Sequence, residues 1–139
     1  MNANDVMTEG PVSIRANASV REAMTLLQSL EIRHLPVVDA KGNLVGMLSD
    51  RDLGALALPN FLQDPGMASL EGRLETPVSY IMNAAVFWVR PDTDVSEIVE
   101  LMTDQKIGAV PVLSADGALV GIVTYVDLLR EFVPLAAAG

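Results

Sequence analysis

The sequence contains no cysteine, and none of its apolar runs reaches the length of a membrane-spanning helix. Disulfides and thiolate metal sites are therefore excluded, and the lack of cysteine fits a reducing, cytoplasmic environment. A membrane span requires about 20 consecutive apolar residues, so we predict none. Residues 1–11 lack a basic region followed by an apolar run, so no signal peptide is predicted.

Positive charge and histidine are also scarce. Nine basic residues face eighteen acidic ones, giving a net charge of −9, and His34 is the only histidine. A surface of this charge repels phosphate backbones, which makes nucleic acid an unlikely partner. A lone histidine cannot by itself form a metal site, and no nucleophile–base–acid spacing is evident around it. We therefore expect neither a metal nor an enzyme.

The chain contains an internal repeat. With an offset of 75 positions, residues 6–53 align with residues 81–128 without a gap, and 15 of the 48 positions are identical. Unrelated segments of ordinary composition would match at roughly 3 positions. The identical pairs are Met7/Met82, Arg15/Arg90, Val20/Val95, Glu22/Glu97, Leu26/Leu101, Ile32/Ile107, Pro36/Pro111, Val37/Val112, Ala40/Ala115, Gly42/Gly117, Leu44/Leu119, Val45/Val120, Gly46/Gly121, Asp52/Asp127 and Leu53/Leu128.

Both copies predict the order β-α-β-β-α. Ser19 and Asp94 are residue types that cap helices, and a glutamate follows each of them three positions later. A short buried strand, a glycine-containing turn and a second strand come next, at residues 35–48 and 110–123. The second helix of each copy is expected to begin near Ser49 and Thr124.

The repeat predicts an α/β (α+β) fold of two copies packed about a pseudo-two-fold axis, because one copy is too small to bury its apolar faces alone. The expected organisation is a first repeat at 1–58, a linker at 59–76, a second repeat at 77–134 and a C-terminal tail at 135–139. The linker contains Pro59, Pro65, Gly66 and Gly72. The whole stretch 54–76 that joins the copies is therefore expected to be irregular and the most mobile segment, with a short helix near 53–58.

A Gly-x-x-Ser/Thr-x-x-Asp pattern occurs at the same place in both copies, as Gly46, Ser49 and Asp52 and as Gly121, Thr124 and Asp127. A hydroxyl at a helix start can donate to a phosphate, and an acid three residues later can accept from both hydroxyls of a ribose. The same pattern also satisfies a helix cap without any ligand. The glycines leave room for close approach by a ligand or by another backbone.

These residues resemble the cystathionine-β-synthase-type (CBS) domain family. The resemblance covers nearly the whole chain and rests on an ordered set of motifs that occurs twice. In the first copy they are Asp5–Thr8, Arg33–Asp39 and Gly46–Leu53; in the second they are Ile81–Met82, Gly108–Val112 and Gly121–Leu128. It implies a tandem pair, or Bateman module, that binds AMP, ADP, ATP or S-adenosylmethionine as a non-covalent ligand. Such modules usually form homodimers and pass a signal to an effector protein.

The resemblance also implies two ligand sites, each combining the Ser/Thr-x-x-Asp of one copy with the segment before the first paired strand of the other. The favoured site, here called the Asp127 set, contains Thr124, Asp127, Arg33, His34 and Pro36. The weaker site, the Asp52 set, contains Ser49, Asp52, Gly108, Ala109 and Pro111. Since Arg33 can hold a phosphate bidentately, unequal occupancy is expected. Arg51, which aligns with Val126, is a possible substitute in the weaker site.

Two other functions stay open at this stage. The chain can be a ligand-free dimerisation or scaffold module, with the motifs serving packing only. It can also be a regulatory fragment of a larger enzyme or transporter. Trp88, within an apolar run, can stack on a base, but core or interface packing is the more common use of such a residue.

Overall fold

The computed structural model describes residues 1–54 and 70–138, and for residues 70, 71 and 132–138 it describes the backbone only. The chain forms two compact units that do not coincide with the two sequence repeats. The central unit is Val12–Val86, and the C-terminal unit combines Met1–Pro11 with Phe87–Gly139. The first eleven residues therefore pack with the body of the second repeat.

The first repeat contains the predicted β-α-β-β-α order. In the second repeat a helix, two strands and a helix form, but the strand predicted before them is reduced to an isolated bridge between Val89 and Val112. A 3₁₀ turn, Val78–Tyr80, precedes the first α-helix of the second repeat. The strands are β1 (Thr8–Glu9), β2 (Ile14–Arg15), β3 (His34–Val38), β4 (Leu44–Ser49), β5 (Ala109–Leu113) and β6 (Leu119–Thr124). The helices are α1 (Ala3–Val6), α2 (Val20–Ser29), α3 (described for residues 50–54), α4 (Leu70–Leu74), α5 (Val95–Gln105) and α6 (Tyr125–Ala138).

The central unit contains a three-stranded sheet in the order β2-β3-β4. β2 pairs with β3 in parallel, and β3 pairs with β4 as an antiparallel hairpin. Helix α2 begins at the predicted cap, where the Ser19 hydroxyl accepts a hydrogen bond from the Glu22 amide at 3.1 Å. It buries Ala23 and Leu27 in a core that also includes Leu35, Val37, Leu48 and Val78.

The C-terminal unit has the sheet order β1-β6-β5, and the first strand comes from the chain's N-terminus. The hairpin β5–β6 repeats the register of β3–β4, including a shift near the start of the turn. Its core buries Ala3 and Val6 of α1 together with Ile98 and Met102 of α5. The N-terminal segment is therefore an integral part of this unit.

Two parts of the chain differ from the sequence-based expectation. Residues Leu70–Leu74 form helix α4, although the segment was expected to be irregular. Helix α6 continues to Ala138, so residues 135–138 belong to a helix; leucine and alanine in this stretch are strong helix formers. Most of the predicted linker 59–76, and the end of the short helix expected near 53–58, lie outside the described residues. No helix within the described ranges is long and apolar enough to cross a membrane.

Candidate functional site

Ser49 and Asp52 form a reciprocal cap where β4 ends and α3 begins. Oδ2 of Asp52 accepts hydrogen bonds from the Ser49 amide at 2.8 Å and from the Ser49 hydroxyl at 3.1 Å. The Asp52 amide in turn donates to the Ser49 Oγ at 3.3 Å. Both residues are partly buried. The pair is thus held rigidly at the helix start, with the Asp52 carboxylate engaged through one oxygen.

Thr124 and Asp127 repeat this arrangement where β6 ends and α6 begins. The Thr124 amide and hydroxyl donate to Asp127 Oδ2 at 2.9 and 3.1 Å, and the Asp127 amide donates to the Thr124 hydroxyl at 3.2 Å. The distances agree with those of the first pair to within 0.1 Å. Both motifs therefore satisfy the capping interpretation that the sequence left open. Each also presents a hydroxyl and a carboxylate side by side.

The glycines of the motif accommodate a methionine and a backbone segment. A Cβ added to Gly46 would lie 2.9 Å from Met82 Cγ and 3.2 Å from the Asn83 carbonyl oxygen. A Cβ added to Gly121 would meet Met7 Cγ at 3.0 Å and the Thr8 carbonyl oxygen at 3.2 Å. Of the two uses that the sequence allowed for these glycines, the structure shows close approach by another backbone.

These contacts reveal an exchange that the sequence analysis missed. Met7 belongs to the first repeat but packs on Gly121 of the second, and Met82 belongs to the second repeat but packs on Gly46 of the first. Strand β1 pairs Thr8 with Ile122, and Asn83 bridges to Met47 in the matching place. The coupled identities Met7/Met82 and Gly46/Gly121 are the only sequence signal of this packing, and they do not reveal which copy each segment contacts.

The segment before each hairpin lies next to the motif of its own repeat. The Asp50 amide donates to the Arg33 carbonyl at 3.0 Å, and the Tyr125 amide donates to the Gly108 carbonyl at the same distance. His34 is the cross-strand partner of Ser49, and Ala109 is the partner of Thr124. The two backbones are therefore equivalent, and the units differ here in their side chains.

His34 is half-buried, and both acidic and basic side chains act on the pKa of its imidazole. Burial is the main cause that lowers the pKa of its imidazole below the ordinary value, because desolvation disfavours the charged form. Asp50 and Asp52 act in the opposite direction, while Arg33 and Arg51 lower the pKa further. The ring is therefore mainly neutral at pH 7.

Each unit brings together parts of both predicted sets. The central unit contains Arg33, His34, Pro36, Ser49 and Asp52, and the C-terminal unit contains Gly108, Ala109, Pro111, Thr124 and Asp127. The Asp127 set and the Asp52 set each draw residues from both units, so both stay predictions. Pro36 and Pro111 are fully buried within their strands, while Arg33 is exposed and Ala109 is buried.

Trp88 lies at the edge of the C-terminal unit, with 45% of its surface exposed. The Arg90 guanidinium sits over its ring, 4.5 Å from the centroid, and donates to the carbonyls of Leu113 and Ser114. Trp88 is thus a partly exposed ring fixed by a cation–π contact. Within the described ranges, no group of three or more histidines, cysteines or acids is placed to hold a metal ion.

Comparison with known proteins identifies these motifs. The family model of the CBS domain matches residues 3–54 and 78–134. The magnesium transporter MgtE of Thermus thermophilus is 37% identical over 132 residues, which cover 91% of this chain and 26% of the transporter. The chain thus spans about a quarter of that relative.

Two solved structures share the fold along their whole length. CBSX2 in complex with AMP has a TM-score of 0.79 and 30% identity, covering 97% of this chain and 98% of that one. The CBS domain pair of protein MJ0100, in complex with 5′-methylthioadenosine and S-adenosyl-L-methionine, has a TM-score of 0.80 and 28% identity, covering 96% and 97%. With two matched repeats and this likeness to solved CBS pairs, the chain belongs to the CBS domain family.

Proposed function

We propose that this chain is a regulatory module that binds adenosine-containing nucleotides and signals to an effector protein without catalysing a reaction. The observation that carries the proposal is the duplicated hydroxyl–carboxylate pair, Ser49 with Asp52 and Thr124 with Asp127, at two strand-to-helix junctions. Similar CBS pairs have been solved with AMP and with S-adenosylmethionine. The ligand classes proposed here are therefore AMP, ADP, ATP and S-adenosylmethionine.

The chemistry of each pair suits a nucleoside. Oδ2 of each aspartate accepts two capping bonds, and a carboxylate has enough lone pairs to accept ribose hydroxyls as well. The neighbouring helix start adds the positive end of a helix dipole, which favours a phosphate. In this proposal the aspartates recognise the ribose. The Ser49 and Thr124 hydroxyls, whose single protons are donated to the aspartates in the structure, turn towards the phosphate when the ligand binds.

We further propose that the Asp127 set binds more tightly than the Asp52 set. The Asp127 set combines Thr124 and Asp127 with Arg33 and His34, whose side chains can meet a phosphate. Gly108 and Ala109 offer no charge to the Asp52 set. Arg51 could supply one there, since it is exposed one residue before Asp52.

A ligand-free scaffold is the competing function, and one observation favours it. The reciprocal capping bonds already satisfy Ser49, Asp52, Thr124 and Asp127 within the chain. A helix cap is worth about 1 kcal/mol by itself, so packing alone could explain why both motifs are present.

A thermal-shift screen separates these two functions. AMP, ADP, ATP and S-adenosylmethionine are each added to the wild-type chain and to the Asp52→Ala, Asp127→Ala double variant. A ligand at 100 times its dissociation constant stabilises the folded state by about 2.7 kcal/mol, so the wild-type melting temperature should rise and the variant's should not. The scaffold function predicts no shift with any of the four ligands.

We also propose that the module forms a homodimer, as the family resemblance implies. Exposed apolar side chains on α6, including Val126 and Leu129, offer area for such a contact. Light scattering should then give twice the 14.8 kDa chain mass. A monomer at all concentrations would contradict this part of the proposal.

A further inference from the structure

His34 is the one histidine of the chain and belongs to the proposed site residues, and histidine is the side chain that ordinarily titrates close to neutral pH. It starts β3 and pairs across the hairpin with Ser49, whose hydroxyl is bonded to Asp52 at 3.1 Å. A phosphate bound beside the Ser49 hydroxyl would therefore lie near this imidazole.

The charged groups around His34 act on its pKa in opposite directions. Within the described residues, the charged groups that act on the ring are Arg33 beside it in the chain and Asp50, Arg51 and Asp52 of α3. The two aspartates raise the pKa of the imidazole and the two arginines lower it, while burial, the largest cause, favours the neutral ring. An additional negative charge nearby would act in the same direction as the aspartates.

A bound phosphate would supply that charge. Its two negative charges would favour the imidazolium form, so a phosphorylated ligand would take up a proton when it binds. An uncharged adenosine derivative would bury the ring further and favour the neutral form. The solved relatives contain both ligand types: AMP carries a phosphate, whereas 5′-methylthioadenosine does not.

We infer that His34 makes the choice between phosphorylated and unphosphorylated adenosine ligands depend on pH, with phosphorylated ligands favoured as the pH falls. This inference rests on the proposed nucleotide-binding function. The second repeat offers a natural reference, because Ala109 occupies the position of His34 and pairs with Thr124 in the same register. One side chain therefore gives the module its proton-linked selectivity.

The test is titration calorimetry with AMP and with 5′-methylthioadenosine at about pH 6 and pH 8, on the full chain. AMP's own phosphate has a pKa near 6, so its protonation also changes the affinity between the two pH values. The ratio of the AMP affinity at about pH 6 to that at about pH 8 (the AMP ratio) is therefore measured for the wild type and for His34→Gln, which keeps a polar side chain that does not titrate. The wild-type AMP affinity should gain at least about threefold more on acidification than the variant's. Methylthioadenosine should bind no more tightly at the lower pH.

A second measurement needs no variant. The imidazole resonance of His34 is titrated by NMR in the wild-type chain, free and saturated with either ligand. Its pKa should rise with AMP and should not rise with methylthioadenosine. Equal AMP ratios in both proteins, with an unmoved imidazole titration, would overturn the inference while leaving nucleotide binding intact. Binding of neither ligand at either pH would overturn this inference; the proposed function falls with it only if ADP, ATP and S-adenosylmethionine also fail to bind.

Discussion

At Gly46 and Gly121 the space that a side chain would occupy is filled by another segment of the chain. Met82 and Met7 fill the space that a Cβ would need, and the carbonyls of Asn83 and Thr8 follow directly behind. Each glycine lies three residues before a motif hydroxyl, so the methionine contacts support the strands that place Ser49 and Thr124.

We predict that Gly46→Ala and Gly121→Ala each destabilise the fold by about 1–3 kcal/mol, the usual cost of overpacking. The added methyl group would lie within 3.0 Å of a methionine Cγ in both variants, and the neighbouring carbonyl limits relaxation. Denaturant unfolding measures the change.

Gly54→Ala is the matched control. Gly54 is exposed in α3 and has no heavy atom within 4 Å of an added Cβ. Alanine there should be neutral or stabilise by up to about 1 kcal/mol through its helix propensity. If Gly46→Ala unfolded at the wild-type midpoint, the methionine contact would not constrain this position.

At the scale of elements, the hairpins, the helices α2 and α5 and their caps could be predicted because the signals are local. Gly42 and Gly117, for example, have φ angles of +85° and +88° in the hairpin turns, a conformation that favours glycine. The placement of β1 could not be predicted in this way. Its pairing with β6 joins residues more than 110 positions apart, and a repeat alignment does not specify which copy a segment packs on.

The exchange of leading segments predicts an unequal response to deletion of residues 1–11. The C-terminal unit would lose Ala3 and Val6 from its core and β1 from its sheet. It would also lose backbone bonds such as the one from the Ala3 amide to the Thr93 carbonyl at 2.8 Å. Hydrogen exchange should accelerate at Val110 and Val123, and less at Val37 and Leu48 of the central unit. Equal acceleration in both units would contradict the exchanged arrangement.

For the whole molecule, the sequence predicted the duplicated fold and both hydroxyl–carboxylate pairs. It could not decide between a helix cap and a ligand site, because the same residue types at the same spacing serve both. The structure shows the cap, and the likeness to ligand-bound CBS pairs supports the additional binding role. The assignment of Arg33 and His34 to the Asp127 set rests on the family resemblance, since it combines side chains from both units.

Titration calorimetry of AMP and S-adenosylmethionine into the wild-type, Asp127→Ala and Asp52→Ala chains tests the central proposal most directly. The two variants are matched controls, because each loses the same capping bonds, worth about 1 kcal/mol of stability. We predict saturable heat from at least one ligand with the wild-type chain, and a larger loss of affinity in Asp127→Ala than in Asp52→Ala. Equal losses would contradict the unequal sites. The absence of binding heat from these two ligands, and from ADP and ATP in the same titration, would contradict nucleotide sensing itself.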